Sequence, residues 1–160
     1  MSDAVIYKIL RWTTVVVALV FLISLSSGDA DTNATYAQIE TQVSAKMDLS
    51  LVQKADDAKL ERFYGLRAAD FANCILYIPT DGVVYVEELL LVELKDEAQK
   101  QTVLDAIDAR LQTQKKTFEN YNLFGQYEKL TQQTHIEVRG NFILFVISCD
   151  DAYQAFLETV

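Results

Sequence analysis

The chain has 160 residues and a mass of 18.1 kDa, room for one ordinary domain with a tail and too little for two sizeable cores. Hydrophobic residues at 51% and charged residues at 23% exclude wholesale disorder, and a net charge of −9 repels a phosphate backbone, so no nucleic-acid partner is expected. One Pro and five Gly exclude a collagen-like chain, and two Cys are too few for a zinc ribbon or a disulfide framework.

The strongest local signal comes first. From Trp12 to Leu25 the chain reads WTTVVVALVFLISL, without a charge; Lys8 and Arg11 precede it, and Asp29 and Asp31 follow. Cations before an apolar run place its start on the cytoplasmic side and the remainder outside. Residues 1–28 are therefore read as a transmembrane anchor or signal segment, and 29–34 as a linker. About 20 apolar residues span a bilayer, and the run reaches that length if Lys8 snorkels past Val5, Ile6 and Tyr7. The anchor is the favoured reading. The alternative is a signal peptide, cleaved after small residues such as Ser24 and Ser26 or Gly28 and Ala30, which leaves a secreted domain. The first 28 residues carry +1, so of the total of −9 the rest holds −10. The bilayer is then a partner through the N-terminal helix alone, since so acidic a domain avoids anionic headgroups.

Residues 35–160 are read as one domain. Tyr36, Ile39, Val43 and Met47 recur at helical spacing. Asp48 is read as the cap of a second helix carrying Leu51, Val52, Ala55 and Leu60 to Phe63, with Gly65 as its stop. Ala72 to Ile78 reads as a strand, and Pro79-Thr80-Asp81-Gly82 as a turn into a second strand within Val83 to Leu94. Asp96 and Gln99 resemble a capping box. Leu104, Ile107, Leu111, Gln114, Phe118 and Tyr121 then form one apolar seam, a long helix ending near Asn122 and lying across a sheet. A short segment around Tyr127 and Leu130 follows. Gly140-Asn141 joins Thr134–Arg139 to Phe142–Ser148 as a tight hairpin, and Asp150 or Asp151 caps a last helix. The expected fold is α+β: two hairpins in a small, mostly antiparallel four-stranded sheet, joined by the long amphipathic helix.

As an ordered set, RFYGLRAADF (Arg62 to Phe71), EELLLVELKDEAQ (Glu87 to Gln99), RLQTQKKTFENY (Arg110 to Tyr121) and VRGNFILFVIS (Val138 to Ser148) resemble the bacterial family called domain of unknown function 4358. The resemblance covers most of the chain after about Ala58. It implies a lipoprotein signal or membrane segment followed by one small extracytoplasmic domain, with no assigned activity. This chain has no Cys near Gly28 to take the lipid that the resemblance implies.

Few residues suggest chemistry. Cys149, His135 and Asp150 are the obvious nucleophile set, but the hairpin pairs His135 with Val146 and Ile136 with Phe145. That register turns His135, Glu137 and Arg139 to one face and Cys149 to the other. Cys74 and Cys149 would form a disulfide if they face each other across neighbouring strands. The alternative is two separate thiols. Adjacent acids such as Glu87 and Glu88 point to opposite faces of a strand and make no catalytic pair. A single His and no glycine-rich phosphate loop leave no metal or cofactor expected. Gln114 on the apolar seam, with Arg110 one turn earlier, is a polar contact in a groove or an amide at the seam's edge. The face shared by His135, Glu137 and Arg139 with Phe142, Leu144 and Val146 is either covered by the first two helices or a partner-binding patch. The reading is a membrane-anchored, non-enzymatic binding or accessory domain outside the cytoplasm, recognising a protein or cell-envelope ligand that the sequence does not identify, or serving as a subunit of a membrane complex; another envelope or membrane protein is the partner considered. An unrecognised envelope hydrolase is the alternative of a different class.

Overall fold

Two runs, LLLV (Leu89 to Val92) and FILFVI (Phe142 to Ile147), are apolar on both faces, the pattern of strands covered from both sides. The computed structural model places them at the centre of the sheet. It describes residues 34–120 and 125–160, all within the unit Asp31–Val160. The anchor or signal segment 1–28, most of the linker and the expected end of the long helix near Asn122 lie outside the described residues.

The elements are α1 (Tyr36–Ser44), β1 (Val52–Lys54), α2 (Asp57–Tyr64), β2 (Asn73–Pro79), β3 (Glu88–Glu93), α3 (Lys100–Asn120), α4 (Gln126–Gln132), β4 (Thr134–Arg139), β5 (Phe142–Ile147) and α5 (Asp150–Thr159). Every pairing is antiparallel, in the order β1-β2-β3-β5-β4. Helices cover both faces. Leu90, Val92, Ile143, Phe145 and Ile147 pack with Leu60, Val103, Ile107 and Phe118 of α2 and α3. Leu89, Leu91, Phe142, Leu144 and Val146 pack with Ile39 and Val43 of α1 and Phe156 of α5. Among the described residues no helix is long and apolar enough to cross a membrane.

The sheet has five strands where four were expected. Leu51 and Val52 fit the helical spacing, but the chain extends at Val52–Lys54 and pairs with Tyr77–Pro79. Asp48 caps only a turn, accepting from Ser50 N at 2.9 Å, while Asp56 caps α2 by accepting from Lys59 N at 2.9 Å. Gly65 ends α2 at φ 67°, a left-handed conformation that favours glycine. The capping box at Asp96 and Gln99 forms and opens a short 3₁₀ turn, Glu97–Gln99, that runs into α3. Only Glu88–Glu93 of the expected second strand extends, so β2 and β3 are joined by a longer loop than a tight turn. The N-cap of α5 is Cys149 rather than either Asp.

Candidate functional site

A carboxylate buried beside apolar strand residues has to be answered by donors from the layer above it. Glu88 opens β3 in phase with Leu90 and Val92, so it points toward α2 and α3, and it is 0% exposed. Arg110 reaches it from α3 with two prongs, Nε to Oε1 at 3.1 Å and Nη2 to Oε2 at 2.7 Å. One helical turn on, Gln114 donates Nε2 to Oε2 at 2.9 Å. The Tyr64 hydroxyl, at the end of α2, donates to Oε1. Phe63 stacks under the Arg110 guanidinium, 4.6 Å from its centre. Tyr64 meets Phe145 edge to face, with ring centroids 6.4 Å apart.

These contacts fix the charges. Burial pushes the Tyr64 hydroxyl well up, and the Glu88 charge and hydrogen bond push the same way. Burial pulls the Arg110 guanidinium down, but Glu88 outweighs it and the net shift is upward. Arg110, Gln114 and Tyr64 thus converge on one carboxylate, joining β3, α2 and α3. Gln114 is 5% exposed, and its Oε1 has no hydrogen-bond partner among the described residues. Arg110 and Gln114 also line a cavity of about 80 Å³ with Pro79, Tyr85, Thr113 and Phe118. Beside this cluster, Glu87 pairs with Lys129 of α4, and Gln126 accepts from Val86 N at 3.1 Å.

His135, Glu137 and Arg139 share a face, as the hairpin register requires. Phe142, Leu144 and Val146 on that face are buried under α1 and α5, whereas α2 lies on the other side. His135 Nε2 lies 2.7 Å from Asp150 Oδ1, and its ring stacks on Tyr153 at 4.3 Å. The Tyr153 hydroxyl donates to Glu137 at 3.2 Å, and Arg139 Nε donates to the same carboxylate at 2.7 Å.

The cysteines correct two expectations. Ser148 adopts φ 62°, which reverses the strand's alternation, so Cys149 packs with the α1–α5 layer on the His135 side of the sheet. The two side chains are nevertheless not paired: the Cys149 thiol donates to Lys46 O at 3.3 Å, and Asp150 holds the imidazole. The disulfide does not form either. Cys74 packs on the α2–α3 face, and both thiols are free. Cys74 is level with Val92 and Ile143, four residues before Ile147, so about 13 Å of strand as well as the sheet itself separates the two. Burial pushes the Cys74 thiol up to about 12 and raises that of Cys149 too, although Ala152 N–H pulls the latter down.

Sequence reasoning singled out Arg110 and Gln114 but missed Glu88, Tyr64 and Phe63. The available signal was a lone acid in phase with the inward side chains of ELLLVE, facing an Arg and a Gln one turn apart on a helical seam. Among the described residues no three His, Cys, Asp or Glu side chains gather as a metal site.

The profile of the family described as "Domain of unknown function (DUF4358)" matches residues 45–148, from the residue after α1 to the residue before Cys149. Neither the curated proteins nor the solved structures contain a match to the chain.

Proposed function

The chain belongs to the family of domain of unknown function 4358, and from that premise we propose that it is a membrane-anchored domain displayed outside the cytoplasm, binding an envelope or membrane protein without catalysing a reaction. The observation that carries the non-enzymatic part is the saturation of Glu88. A general acid or base must exchange a proton with a substrate within hydrogen-bond reach. Glu88 is sealed from solvent, and its oxygens already accept from Tyr64, Arg110 and Gln114. The raised Cys149 thiol is likewise the opposite of an activated nucleophile. What remains is a sheet packed by helices on both faces.

The anchored part rests on the uncharged run Trp12–Leu25 and the charges around it. A tether confines the domain to a surface, which raises its effective concentration toward a partner on the same surface. The test is crosslinking of the full chain in intact cells, followed by identification of what it captures. The expected result is a specific envelope or membrane partner, with the chain pelleting with membranes at its full 18.1 kDa. Capture of no partner, together with turnover of an envelope substrate by the purified chain, would overturn the proposal in favour of a hydrolase. A lighter, soluble product would replace the anchor with a cleaved signal.

A further inference from the structure

We draw no further inference here: the strongest candidate, the cavity of about 80 Å³ lined by Arg110 and Gln114 of α3 and Pro79 of β2, belongs to the site already described, and Gln114 Oε1, the polar atom there without a partner among the described residues, is itself buried, so nothing in the structure shows which chemical group the cavity would hold.

Discussion

Glu88 on β3 and Arg110 on α3 form a two-pronged ion pair in which the carboxylate is wholly buried and the guanidinium rests on Phe63. Their attraction offsets the cost of taking both charges from water, but removing one partner strands the other. Arg110→Met should therefore lower the unfolding free energy by about 3–5 kcal/mol. Replacing both residues with apolar ones should cost less than the sum of the single changes, as a double-mutant cycle in urea would measure. Additive losses would mean the pair is not coupled as described.

Gln114 separates the value of a bond from the value of a charge. Its amide gives Glu88 one hydrogen bond and leaves Oε1 unanswered. Gln114→Met removes both the bond and the orphan, so the loss should stay within about 1 kcal/mol, since a buried polar atom without a partner is itself unfavourable. Denaturation of the two single variants side by side checks the order: Arg110→Met should fall well below Gln114→Met.

Alkaline pH should unfold the domain through groups that the fold keeps protonated. The Tyr64 and Cys74 groups both have folded pKa values above their ordinary ones, Cys74 moving from 9.0 to about 12 and Tyr64 upward from 10.0. A raised value stabilises fully below the unfolded pKa, and the stabilisation is lost as pH rises through the folded one. Melting temperature should accordingly hold from neutral pH to about 9 and fall above it. Cys74→Ala should flatten the first part of that fall. A melting temperature that rises above pH 9 would contradict the assignment.

Thiol counting tests the separation of the two cysteines. Cys74 and Cys149 occupy opposite faces, so chain prepared without reductant and then denatured should take two alkylating groups per molecule. Recovery of a form that takes none until reduced would place the two sulfurs together.

Much of the framework was legible because local chemistry dictated it. Gly140-Asn141 fixed the β4–β5 register residue by residue, and Gly65 and the Asp96–Gln99 box marked real helix ends. Three features were not legible, each because a distant contact overrode a local pattern. Val52–Lys54 fitted a helix but pairs with β2, twenty-five residues away in the case of Gln53 and Ile78. Ser148 takes a left-handed turn that no glycine announces, and this carried Cys149 to the other face. Glu88 reads from the sequence only as one of two adjacent acids on opposite faces of a strand, and the donors that α2 and α3 bring to it lie on other elements. Arg110 and Gln114 were found because polar groups interrupting an apolar seam need partners; the identity of that partner lay on another element.

The proposed placement of the domain outside the cytoplasm underlies the functional proposal, and a compartment-sensitive enzyme fused after Val160 measures it most directly. The account expects activity from a reporter that matures only beyond the membrane and silence from one that works only in the cytosol. The reverse pattern would contradict it.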